Sequence, residues 1–137
     1  MTTISEKQLM ERLGRVPLFS QASRSHLRAL ARAGKILTWP EGKEGVVQGA
    51  TASAFYLILD GGVVVTRDEK PVARLNQDDF FGEAAMISGK PRNAAVTATT
   101  GTTLFALSRF AFRGAIKANP ELAMKVMAAL AERQAPI

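Results

Sequence analysis

Phe81-Gly82-Glu83-Ala84-Ala85-Met86-Ile87-Ser88-Gly89-Lys90-Pro91-Arg92-Asn93-Ala94-Ala95-Val96 sets one acid, one arginine, two turn glycines and several small residues in one short stretch. Gly82 permits a sharp backbone turn that a side chain would obstruct. The acid and alanines after it predict a short helix from Glu83 to about Ser88, whose first amide N–H groups have no partner inside the helix. Such a helix start attracts anions, and Ala84 and Ala85 are small enough for a ligand to approach the backbone closely. Gly89-Lys90-Pro91 then reverses the chain and returns Arg92 towards the same spot. Arg92 carries a permanent charge on a planar donor fork, which suits a phosphate. Glu83, an acceptor-only carboxylate, suits a pair of hydroxyl donors such as those of a ribose. A phosphate and a sugar hydroxyl held side by side point to a nucleotide.

Around this stretch the chain reads as short β-rich runs separated by turn residues. Strands are predicted at Lys35–Trp39, Lys43–Gln48, Ala54–Leu59, Val63–Arg67, Val72–Leu75, Asn93–Ala98 and Thr102–Leu107. Turns fall at Pro40-Glu41-Gly42, Gly49-Ala50, Asp60-Gly61-Gly62, Asp68-Glu69-Lys70-Pro71 and Gly101. So many short strands at regular spacing predict an antiparallel sandwich or barrel. Helical periodicity brackets them. Thr3-x-x-Glu6 has the form of a capping box opening a first helix, with Leu9, Leu13 and Val16 on one face and Gly14 and Pro17 as its end. Ser23 is the expected N-cap of a second helix, with Leu27, Leu30 and Ala31 at helical spacing and Gly34 as its stop. His26 stands alone there and is expected to be a surface or packing residue. Ser108 can cap a helix over Arg109–Ala118, and Pro120 opens a last helix reaching about Arg133, striped by Ala123, Val126, Met127 and Leu130. The expected fold is therefore mainly β with flanking helices (α+β).

Composition narrows the functional classes. At 137 residues the chain reads as one domain: N-terminal helices over 1–34, strands over 35–108 and C-terminal helices over 109–133. Unbroken apolar runs such as Phe55 to Leu59 are far too short for a membrane span, and no secretory signal is visible. No direct membrane insertion is expected. The absence of cysteine removes disulfides, thiolate nucleophiles and Cys-based metal sites, and is compatible with the cytoplasm. The net charge of +6 is uneven: residues 1–35 carry +5, residues 36–90 carry −3 and residues 91–137 carry +4. The basic excess lies on the helical flanks and reads as solvated helix faces, so nucleic acid is not an expected partner. No nucleophile–base pair is visible, so the chain is not read as an enzyme. The adjacent acids Asp78 and Asp79 read as a turn before Phe80, with a metal site the weaker alternative.

The stretch 81–96 resembles the phosphate-binding cassette of cyclic nucleotide-binding domains. That pattern runs roughly Phe-Gly-Glu, a small residue, Ala and an apolar residue, then Pro-Arg, a small or hydroxyl residue, and Ala. Val16-Pro17-Leu18-Phe19 and Phe55-Tyr56-Leu57-Ile58, the latter followed by Gly61 or Gly62 and Val63, resemble further signatures of the family. The likeness spans about residues 9–133. It implies an antiparallel, jelly-roll-like β-roll with N-terminal helices and two C-terminal helices. It also implies a non-catalytic regulatory sensor for a 3′,5′-cyclic nucleotide, with no cofactor or metal. The family usually has Gly-Asp-x-Gly-Asp before the Phe-Tyr, where this chain has Gly49-Ala50-Thr51-Ala52-Ser53. That loop is expected to lie away from the phosphate contacts, so the departure should alter the loop's shape more than ligand binding.

By the same resemblance Gly82 shapes the pocket, Glu83 takes the ribose 2′-hydroxyl and Arg92 takes the exocyclic phosphate oxygens. The backbone N–H groups of Ala84, Ala85 and Ala94 complete the phosphate cradle. Asn93 stands where a hydroxyl can favour guanine; its donor and acceptor can serve either purine or the phosphate. Cyclic AMP is favoured, with cyclic GMP the alternative. From Arg92 onward the chain is similar, without apparent insertion, to the ligand domain of a bacterial cyclic nucleotide-regulated potassium channel. In that relative an arginine late in the last helix stacks on the base, and Arg133 falls at that place; a solvated terminal arginine is the competing reading. The last helix either packs on the roll or closes over the base and relays the signal to an effector domain or protein. The implied location is the cytoplasm or the cytoplasmic part of a membrane protein. Alternatives are the sensor of a DNA-binding regulator and a degenerate domain used as a protein-binding surface.

Overall fold

A computed structural model describes residues 4–51, 54–83 and 91–134. They form two compact units, one from residues of Lys35–Arg109 and one from residues of Met1–Gly34 and Phe110–Ile137.

The first unit carries eight strands: β1 Lys35–Trp39, β2 Glu44–Val46, β3 Ala54–Asp60, β4 Gly62–Arg67, β5 Lys70–Asn76, β6 Phe80–Phe81, β7 Ala95–Ala98 and β8 Thr102–Ser108. They pair antiparallel in two four-stranded sheets, ordered β1-β8-β3-β6 and β2-β7-β4-β5. Both sheets feed one apolar cluster. Trp39, Ile58 and Leu104 come from the first, and Val46, Val63, Val96 and Ala98 from the second. Removing these side chains from water is the main favourable term for this unit. Strand β3 lacks the alternation of a half-exposed strand because Phe55, Leu57, Ile58 and Leu59 are all buried. Pro71 sits in the edge strand β5, where its missing N–H breaks no inner ladder.

Three strands, β2, β5 and β7, differ from expectation by two residues at one end, and each has a local cause; the other differences are of one residue. β2 is short because the register shifts between Glu44 and Val46. Between them, a Cβ on Gly45 would lie 2.2 Å from the Trp39 ring, so only a bare Cα fits there. β5 begins at Lys70, not Val72, because Asp68 (φ 52) and Glu69 (φ 69) both take the left-handed conformation and close the hairpin in two residues. β7 begins at Ala95, not Asn93, because the main chain at Arg92 and Asn93 bonds outside the sheet ladder. β6 has no signature of its own: two phenylalanines pair with Tyr56 and Leu57, too few for any periodicity.

In the second unit, α1 (Glu6–Gly14) opens with a capping box of Ser5 and Gln8, two residues later than the Thr3–Glu6 box expected. Thr3 lies outside the described residues. Leu9, Met10 and Leu13 form the buried face of α1. A 3₁₀ turn, Pro17–Phe19, leads to α2 (Arg24–Ala33). Ser23 caps α2 as expected, but its partner in the reciprocal box is His26, whose Nδ1 accepts from the Ser23 N–H at 3.3 Å. His26 is therefore a buried capping residue rather than an isolated one. Gly34 ends α2 in an extended conformation. Replacing Ser23 with alanine is expected to cost about 1 kcal/mol, lowering Tm by a few degrees in calorimetry. An unchanged Tm would contradict that capping role.

Glu6 accepts two hydrogen bonds from Arg32, at 2.9 and 3.3 Å, and lies 3.5 Å from Arg28. The hydrogen bond from Arg32 is the larger cause holding its carboxyl below the ordinary value of 4.5. The lowered carboxyl stabilises the fold above that pH, and the contribution disappears as pH falls through the carboxylate range. The C-terminal helices are α3 (Arg109–Ala118) and α4 (Pro120–Gln134). Leu122, Val126 and Ala129 form the buried face of α4, whereas Met127 is 53% exposed. The expected stripe is thus rotated away from Met127, and the Leu130 side chain lies outside the described residues. Among the described residues no helix is long and apolar enough to cross a membrane.

Candidate functional site

Arg92 is held by its main chain before its side chain is considered. Its N–H donates to the Ala50 carbonyl and its carbonyl accepts from the Gly49 N–H, both at 2.8 Å. Gly49 reaches that position with φ +86, a conformation glycine adopts without penalty. With the backbone fixed, the guanidinium donates from Nη2 to the carbonyl of Ala54, the first residue of β3. It lies directly against Gly82. A Cβ built there would fall 2.6 Å from Arg92 Nη1 and 2.7 Å from the Ala54 oxygen. Gly82 has φ +83, so the absent side chain serves both the turn and the arginine.

Gly82 and Glu83 are delivered by β6. The Phe81 ring stacks on Tyr56 at a centroid distance of 5.0 Å, and Trp39 packs against both rings at 5.4 and 6.2 Å. This aromatic layer anchors the two-residue strand that the ladder alone would hold weakly. Glu83 follows at once, with its Oε2 oxygen shielded from solvent. Asn93 is exposed, and its carbonyl accepts from Arg67 Nε at 3.1 Å. Ala94 is buried. Ala84 and Ala85 lie outside the described residues, as does the Arg133 side chain; the Arg133 backbone belongs to α4, in the other unit.

The electrostatics at Arg92 are those of a charge that needs an anion. Partial burial depresses its pKa, which the nearby Tyr56 oxygen offsets in part. Among the described residues no carboxylate pairs with it. A guanidinium taken from water without a counter-ion is destabilised, and a phosphate seated on its remaining N–H groups would relieve that cost.

One expectation needs correction. The loop at Gly49-Ala50-Thr51-Ala52-Ser53 is not remote from the arginine. Gly49 and Ala50 hold the Arg92 main chain, and Ala54 just beyond accepts from its guanidinium. Backbone groups make these contacts, so the unusual side chains there neither reveal nor prevent them. Ala52 and Ser53 lie outside the described residues. Asp78 and Asp79 do form a turn: Asp78 has φ +72, and Asp79 Oδ2 accepts from the Asn76 N–H at 2.8 Å. Among the described residues no cluster of His, Cys, Asp or Glu has metal-binding geometry.

The family model described as "Cyclic nucleotide-binding domain" matches residues 36–119. A cyclic nucleotide-gated potassium channel of Rhizobium etli is 33% identical over 119 residues, covering 87% of this chain and 33% of that protein. A cAMP-dependent protein kinase regulatory subunit of Dictyostelium discoideum is 32% identical over 119 residues, covering 80% of this chain and 36% of that protein. The chain thus spans about a third of the length of these relatives. Among solved structures, the N-terminal domain of a transcriptional regulator from Streptomyces coelicolor A3(2) superposes with a TM-score of 0.84 at 25% identity, over 89% of this chain and 91% of that one. The matched segment contains both sheets, the Gly82 turn and the arginine seated against it, and the chain belongs to the cyclic nucleotide-binding domain family.

Proposed function

We propose that this chain is a non-catalytic sensor that binds a 3′,5′-cyclic nucleotide, with cyclic AMP preferred over cyclic GMP. The observation that carries this reading is the half-buried guanidinium of Arg92, without a carboxylate partner among the described residues and packed on the bare Cα of Gly82. Arg92 binds the exocyclic phosphate oxygens, and Glu83 accepts from the ribose 2′-hydroxyl. The N–H groups of Ala84, Ala85 and Ala94 surround the remaining phosphate face, and Asn93 touches purine or phosphate. α4 then closes over the base, with Arg133 stacked on the ring. Closure can relay a signal only if the closed state makes contacts with the ligand that the open state lacks. The effector is a channel, an enzyme or another domain or protein, in keeping with the channel, the kinase regulatory subunit and the transcriptional regulator that the chain resembles, and the site faces the cytoplasm.

Thermal stabilisation tests this directly. A ligand at a hundred times its Kd contributes about 2.7 kcal/mol, enough to raise Tm by several degrees. The expected order of stabilisation is cyclic AMP, then cyclic GMP, then 5′-AMP, whose open phosphate does not fit a cradle built for a ring. Equal shifts with 5′-AMP and cyclic AMP, or none with either cyclic nucleotide at millimolar concentration, would contradict the assignment.

A further inference from the structure

Three segments far apart in sequence close on one another beside the cassette. The Gln48 side chain pairs with Asp68 twice: its Nε2 donates to Asp68 Oδ1, and the Asp68 N–H donates to its Oε1, both at 2.9 Å. Asp68 occupies the β4–β5 turn with φ 52, and this paired contact holds it in that uncommon conformation. Its neighbour Arg67 donates from Nε to the Asn93 carbonyl at 3.1 Å. On the other side, Gly49 and Ala50, next to Gln48, bond to the Arg92 main chain. The links form a closed ring: Gln48 to the hairpin turn, the turn to Asn93, and Arg92 back to the loop that carries Gln48. Nothing in the cassette pattern contains Gln48, Arg67 or Asp68.

We propose that Arg67, braced through Asp68 by Gln48, is a positioning residue for the nucleotide. It touches no reacting or binding atom of Arg92; it fixes the peptide that follows. Rotation of the Asn93 peptide would swing the segment between the Arg92 guanidinium and the β7 ladder. The Arg67 bond restrains that rotation, while Gly49 and Ala50 hold the main chain of the residue before it. Its planar donor fork, conjugated through Nε, gives the bond a direction that a flexible ammonium lacks. The inference rests on the nucleotide-binding reading above.

The test is calorimetric titration with cyclic AMP of the intact chain, of Arg67→Ala, of Arg92→Ala and of the double variant. Arg74→Ala, which removes an equal charge from exposed β5, serves as control. Arg67→Ala is expected to weaken binding about three- to tenfold with little change in Tm, since its side chain is exposed. Arg67→Lys should recover part of that loss, and Arg74→Ala none of the effect should share. In the Arg92→Ala background, removing Arg67 should cost little more, because what it positions is gone. Additive losses, or equal effects of Arg67→Ala and Arg74→Ala, would show an independent or long-range charge effect and overturn the positioning role. Unchanged affinity in Arg67→Ala beside weakened Arg92→Ala would overturn it as well. If the intact chain binds no cyclic nucleotide, both the reading and this role fall together.

Discussion

Replacing Arg92 with alanine is expected to weaken cyclic AMP binding about ten- to a hundredfold. A hydrogen bond to a charged group contributes roughly 1.5–3 kcal/mol net, and each 1.4 kcal/mol is tenfold in affinity. The fold should survive the change. Arg92 donates one hydrogen bond to the Ala54 carbonyl, while its partly buried charge works against the folded state. Deleting it therefore removes a favourable contact and an unfavourable desolvation together, and Tm should move little. Arg92→Lys should recover only part of the affinity, because an ammonium cannot bond Ala54 and two phosphate oxygens from one rigid plane. Calorimetry on the three proteins measures this; affinity unchanged in Arg92→Ala would remove the arginine from the site.

The second large effect is expected at Gly82. Alanine there must adopt φ +83, which costs a non-glycine residue about 1–2 kcal/mol. Its Cβ would also meet Arg92 Nη1 at 2.6 Å and the Ala54 oxygen at 2.7 Å. The oxygen belongs to β3, which pairs on both sides and cannot move easily, so the guanidinium must leave. Gly82→Ala should therefore lose at least as much affinity as Arg92→Ala and, unlike it, lower Tm. Gly42→Ala separates the two causes. Gly42 has φ +86, but nothing lies within 4 Å of its would-be Cβ and its N–H donates to Ala98 rather than to Arg92, so it reports the conformational cost alone. The single tryptophan, Trp39, packs 6.2 Å from Phe81 beside Gly82 and offers a fluorescence probe of the local change. Equal effects of Gly82→Ala and Gly42→Ala on affinity would show that close packing of the arginine on Gly82 does not matter.

Much of the fold was legible in the letters, for physical reasons that also explain the misses. β1 and the helix Arg109–Ala118 appear with their expected bounds. Turn residues limit β1, and Pro120 separates the helix from its successor. The strands that shifted did so where backbone geometry decides: a bulge at Gly45, two left-handed residues at Asp68 and Glu69, and main-chain bonds at Arg92. His26 could be read as a cap only by treating its Nδ1 as the acceptor usually supplied by Glu or Gln. Met127 has the same periodicity as its buried neighbours, and one residue of phase separates a buried stripe from an exposed one. At the site, residue chemistry marks Glu83 and Arg92 as binding types. The bonds to the Ala54 carbonyl, to the loop at Gly49–Ala50 and from Arg67 to Asn93 are invisible in sequence because each has at least one partner that is a backbone atom, identical in every residue.

The most direct measurement is a crystal structure of the chain with cyclic AMP. The geometry predicts the exocyclic phosphate oxygens about 2.7–2.9 Å from the Arg92 guanidinium, as in charged N–H···O pairs. The ribose 2′-hydroxyl should donate to Glu83. A nucleotide bound elsewhere, or one bound while Arg92 and Glu83 point away from it into solvent, would contradict the central claim.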